Sequence, residues 1–89
     1  MLVTILGKRW RLRWVRLKDR YGDVDPPNQP NKEIRICTGL SEQKELEVLL
    51  HEMLHCADWQ KSEEFVEHVA DDIARVLTKL GWRKTKDGG

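Results

Sequence analysis

No stretch of this 89-residue chain approaches the roughly 20 apolar residues of a membrane-spanning helix, which excludes a helical span. Nor is a secretory signal expected. Met1-Leu2-Val3-Thr4-Ile5-Leu6 is apolar but short, and Lys8 and Arg9 follow it where a signal would need them in front. The expectation is a cytoplasmic protein. Cysteine is sparse: Cys37 and Cys56 stand alone, in separate predicted elements. In a cytosolic chain this argues against a disulfide framework and for two reduced, packed thiols. Asp23 and Asp25 invite calcium, but the rest of an EF-hand loop is missing. There is no internal repeat and no low-complexity segment. Histidine is nearly as rare as cysteine, with three in the chain, and two of these fall within one short string.

That string is Leu49-Leu50-His51-Glu52-Met53-Leu54-His55, which contains H-E-x-x-H. On a helix, His51 and His55 lie one turn apart, roughly 40° around the axis, so both imidazoles can reach one metal ion. Glu52 sits about 100° from His51, where its carboxylate can touch a metal-activated water and act as general base. The bare motif is weakly specific. It gains weight from Leu46, Leu49, Leu50, Met53 and Leu54, which make the same helix apolar and would partly bury the histidines. The competing interpretation is a structural helix with two surface histidines.

The length suits one domain, residues 1–89, with a small core. The composition, 39% hydrophobic and 35% charged, fits a soluble globule. A bound zinc would offset the small core, because metal binding contributes folding free energy. The net charge is only +1, but it is unevenly spread. Residues 1–20 carry seven basic groups against Asp19 alone, whereas residues 41–72 carry ten acids against Lys44 and Lys61. Two solvated faces explain this plainly. A sharper reading is a basic surface that meets nucleic acid or an acidic substrate.

Local patterns predict an α+β fold: a small sheet of two to four strands on two helices. Leu2 to Leu6 forms a strand and Gly7-Lys8 a turn. Trp10, Leu12 and Trp14 alternate with Arg11 and Arg13, the period of a half-buried strand. The pattern shifts at Trp14-Val15, which predicts a bulge or bend. Trp10 and Trp14 read as core; a base-stacking platform is the alternative. Residues 19–32, with prolines at 26, 27 and 30, form a long loop. Such a loop is often functional. It is expected to border a cleft, with Tyr21 as a candidate hydrogen-bond donor. Glu33–Cys37 is a second clear strand. Ser41 caps a helix over about 42–58, with Glu42 and Glu45 at its positive end. Cys56 is read as packed. Ser62 caps a last helix over about 63–80, which Gly81 ends. Trp82 should pack back on the core, and residues 83–89 should fray.

A catalytic zinc commonly takes three protein ligands. The candidates for the third are Glu63, Glu67, His68 and Glu64. Val66, Ala70, Ile73, Leu77 and Leu80 make the expected central seam of the last helix. Glu63 extends that seam and ranks first. Glu67 lies at its edge and ranks second. His68 ranks third, and Glu64 belongs with His68, Asp71, Asp72 and Arg75 on the polar side. The competing reading of each acid is plain surface charge or dipole compensation at a helix start.

Leu50-His51-Glu52-Met53-Leu54-His55 resembles the active-site helix of zincin metallopeptidases. The order of a strand, a capped helix with H-E-x-x-H and a following helix that brings a glutamate is similar to compact gluzincin-like proteins, including the ImmA/IrrE-type peptidases. In that group a glutamate precedes small or apolar residues, and Glu63 is followed by Val66, Val69, Ala70 and Ile73. SprT-like proteases are a weaker match, because they carry a later histidine before glycine and His68 precedes Val69. The general layout also looks like small phage and bacterial zincin-like proteins. The resemblance covers roughly residues 33–80. It implies a minimal zincin-like fold, Zn2+ as cofactor, and hydrolysis of a peptide or protein substrate. His51, His55 and Glu63 would be the ligands and Glu52 the base. An extended substrate would pair with strand 33–37 or the edge strand beside it. Asp71, Asp72 or a backbone carbonyl would orient the imidazoles. The alternative is a non-catalytic, metal-stabilised binding domain that contacts nucleic acid through the basic N-terminal strands. No membrane partner is expected, and the oligomeric state is open.

Overall fold

The computed structural model describes residues 1–84. The expected fraying of residues 85–89 lies outside them. Four strands and two helices follow in order: β1 (Leu2–Ile5), β2 (Lys8–Val15), β3 (Gly22–Val24), β4 (Glu33–Cys37), α1 (Glu42–Ala57) and α2 (Glu63–Lys79). The fold is α+β, with one mixed sheet in the order β1-β2-β4-β3. Among the described residues no helix is long and apolar enough to cross a membrane.

β1 and β2 form an antiparallel hairpin in which Ile5 faces Lys8. The two-residue turn is therefore Leu6-Gly7, one position earlier than expected. Both residues take positive φ, 50° and 75°, as a primed hairpin turn requires. β2 and β4 run parallel, with an unbroken register from Arg11↔Glu33 to Val15↔Cys37. The bulge expected at Trp14-Val15 is not there. Trp14 continues on the same face as Trp10 and Leu12, and its indole N–H donates to Glu45 Oε1 at 2.6 Å. Val15, the last residue of β2, is half-buried without any break in the register.

The Pro-rich segment is not all loop. Gly22–Val24 adds β3 antiparallel to β4, from Gly22↔Ile36 to Val24↔Ile34. Just outside the strand, Asp25 accepts from the Glu33 N–H at 2.9 Å. Arg35 then clamps this segment through Asp23 at 2.5 Å and Asp25 at 2.6 Å.

The core lies between the sheet and α1. Trp10, Leu12, Ile34 and Ile36 meet Val48 and Cys56 there. α1 touches β1, β3 and β4, while α2 packs against α1. The caps are as expected: Ser41 Oγ accepts from the Lys44 N–H and Ser62 Oγ from the Phe65 N–H, each at 3.2 Å. The phase of α2 differs from expectation. Val66, Ala70 and Ala74 are its buried row, while Ile73 and Leu80 are exposed. Two alanines let the helices approach closely, and the larger side chains turn away.

Trp82 does not enter the core. It rests beside Glu42, Gln43 and Thr78, at the start of α1. Nor does residue 84 fray. The Lys84 N–H donates to Glu42 at 3.2 Å, its ammonium pairs with Glu45 at 3.1 Å, and it lies 4.8 Å from the Trp14 ring centroid.

Candidate metal centre and cleft

α1 carries His51, Glu52 and His55 in its last two turns, and α2 begins at Glu63 after the Ser62 cap. The link between them turns on Asp58, whose Oδ1 accepts from the Gln60 N–H and whose carbonyl accepts from the Lys61 N–H, each at 3.2 Å. This reversal brings the first residue of α2 back over the last turns of α1.

The imidazoles of His51 and His55 stand edge to face, with ring centroids 4.9 Å apart. Trp59 borders the second ring, at 6.4 Å. Glu63 Oε1 contacts His51 Nε2 and lies 3.3 Å from His55 Nε2; Glu63 Oε2 lies 3.2 Å from the same His55 nitrogen. One donor atom from each of the three residues falls within 4.8 Å of the others. The imidazole side chains are largely covered, at 22% and 13% exposure, while Glu63 is 70% exposed. Burial acts to raise the Glu63 pKa. Hydrogen bonds to His55 and His51 outweigh it and hold the carboxyl below its ordinary range.

Two imidazole nitrogens and one carboxylate oxygen form a donor set of the kind that could hold a divalent ion such as zinc. The residues present therefore fit the ion that the motif implies. Glu67 lines the same cleft but is not part of the three-donor group. His68 and Glu64 are exposed and line neither the cleft nor the group. Asp71 and Asp72 both pair with Arg75, so neither is shown orienting an imidazole.

Glu52 is the one buried charged side chain among the described residues, at 7% exposure. It lines the cleft beside the histidines. Burial first, then the charges of Glu63 and Asp23, push its pKa up to about 7. Cys56 is buried on the core side of α1. Burial and the Glu52 charge raise its thiol to about 12, and it is not part of the three-donor group.

The cleft has a volume of about 730 Å³. Tyr21, Gly22, Asp23 and Val24 form one wall, α1 the floor, and Glu67, Ala70 and Asp71 of α2 the other wall. Tyr21 thus stands at the cleft, with the Lys44 ammonium 4.5 Å from its ring centroid. The 19–32 segment borders the cleft as its sequence suggests; that it does so as a strand is not legible in the sequence. The only signal was Gly22 itself, where the strand comes close to α1.

No family model, curated protein or solved structure matches this chain.

The basic strand gives a different picture from the motif. Trp10 is 1% exposed and Trp14 is held by Glu45, so neither offers a stacking surface. Arg13 pairs with Glu33 at 3.0 Å, and Arg35 is engaged by three carboxylates. Arg9 and Arg11 remain exposed on the outer face of β2.

Proposed function

We propose that this chain is a zinc-dependent peptidase that cleaves extended peptide segments. One observation carries the reading: His51, His55 and Glu63 converge within 4.8 Å at a cleft whose floor holds the buried Glu52. Held by those three residues, a zinc ion supplies Lewis acidity, which acidifies a water and polarises a peptide carbonyl.

The remaining work falls to the chain. Glu52 takes a proton from the water as its oxygen attacks the carbonyl carbon. It returns a proton to the amide nitrogen as the C–N bond breaks, so one water is added in total. A conjugate acid near neutrality suits both transfers, and the burial of Glu52 tunes it that way. Among the described residues β3 is an edge strand, paired with β4 alone. Its free side borders the cleft and can add a peptide strand through backbone hydrogen bonds, without selecting a sequence.

Zinc content and cleavage of an unfolded protein, measured on wild type and Glu52→Gln, test this. Glu52→Gln should keep its zinc and lose about 10²–10⁴-fold in rate, the usual weight of a general base. Undiminished hydrolysis by Glu52→Gln would remove the assignment. A zinc-loaded wild type that cleaves nothing would instead favour an ion that only staples the two helices.

A further inference from the structure

α2 buries Val66, Ala70 and Ala74 against α1. A second apolar row runs beside the first: Phe65, Ile73, Val76 and Leu80 are exposed, and Val69 between them is half-buried. At about 100° per residue these five fall within roughly 80° of arc. Val76 is 55% exposed and Leu80 78%. A surface helix ordinarily carries one apolar stripe, facing its own core, and a further largely exposed apolar row marks a contact surface. From Val69 to Leu80 the spacing runs four, three, four, the repeat of a helix–helix seam.

We propose that this row pairs α2 with α2 of a second copy of the chain, antiparallel, about a two-fold axis near residues 72 and 73. The row is symmetric about that point. Reversal sets Phe65 against Leu80 of the second copy and Val69 against Val76 of the second copy, so large meets large and small meets small. The contact is isologous and closes on itself.

The charges beside the row fit the same arrangement. Glu64 and Asp72 lie on one flank in the first half of α2, and Arg75 and Lys79 on that flank in the second half. Under the two-fold axis this flank meets itself reversed. Glu64 comes beside Lys79 of the second copy, and Asp72 beside Arg75 of the second copy. A parallel pairing would align the two helix dipoles and set the two acidic halves side by side.

The cleft lies on the other side of the helix. Glu63, Glu67 and Asp71 sit roughly half a turn round from the apolar row. Pairing therefore leaves both clefts open, and the inference stands apart from the peptidase reading.

Sedimentation equilibrium on the full chain at micromolar to sub-millimolar concentration tests it. Wild type should sediment at twice the 10.5 kDa of one chain. Val76→Glu should dissociate at least about tenfold more readily, the effect of burying an unpaired charge, with an unchanged circular dichroism spectrum. Lys79→Glu should weaken the dimer, and Glu64→Lys added to it should restore the affinity. A monomeric wild type, or a dimer indifferent to Val76→Glu, would overturn the proposal. A double charge exchange as weak as Lys79→Glu alone would overturn the antiparallel register.

Discussion

Gly22 and Glu52 meet where β3 crosses α1. A Cβ built on Gly22 would stand 3.2 Å from Glu52 Oε2, 2.7 Å from Val48 Cγ1 and 3.0 Å from the Arg35 carbonyl oxygen. The hydrogen of glycine is thus what lets the edge strand close on the helix. Gly22→Ala should lose about 1–3 kcal/mol, the cost of overpacking a tight contact. Urea denaturation checks it. An alanine variant as stable as wild type would mean that β3 can retreat freely from α1.

Zinc should stabilise the folded chain. An ion bound only by the native state adds about 2.7 kcal/mol at a free concentration 100-fold above its Kd. Zinc should therefore raise the Tm of wild type and do so much less for His51→Ala or Glu63→Ala. Equal rises in all three would place the ion elsewhere. Equal zinc content in wild type and Glu63→Ala would remove Glu63 from the ligand set.

The acid side of the stability curve should depend on Asp25. Its hydrogen bond from Arg35 holds the carboxyl below its usual range in the fold. A depressed carboxylate pKa stabilises above the unfolded value of about 3.9 and loses that stability as pH falls through the folded value. Asp25→Asn should thus cost about 1.5–3 kcal/mol at neutral pH, the range for a hydrogen bond to a charged group. The gap should narrow as pH drops below about 4. Unfolding midpoints at neutral and acid pH give the answer; a gap constant with pH would contradict it.

Ser62 should matter to the centre as well as to the helix. Its hydroxyl caps α2 one residue before Glu63. Ser62→Ala should destabilise by about 1 kcal/mol, as lost caps do. It should also weaken zinc binding, because the first residue of a frayed helix holds its carboxylate less firmly. A stability loss with unchanged zinc affinity would show that Glu63 is positioned by its imidazole contacts alone.

The helices were legible for local reasons. Ser41 and Ser62 mark their starts with short-range hydrogen bonds, and acids follow each at the positive end. The i, i+4 spacing of His51 and His55 needs only helical geometry, so that half of the site could be read directly. The phase of α2 could not. It has two apolar rows, and only the small size of Ala70 and Ala74 decides which one meets α1. β3 was hidden for another reason. Three residues between a turn and two prolines carry no period of their own, and the strand exists because β4 offers a free edge and Arg35 grips Asp23 and Asp25. The docking of Lys84 depends on Trp14 and Glu45, far away in sequence.

Glu52 takes its surroundings from β3, while the three donors come from two helices joined by a short link. On the proposed reading, ion capture and proton handling therefore rest on partly different supports, with Glu63 common to both. Damage to the sheet would disturb the base in a chain that still gathers its three donors, whereas damage to the link between the helices would remove at once a donor and a charge that helps to tune Glu52.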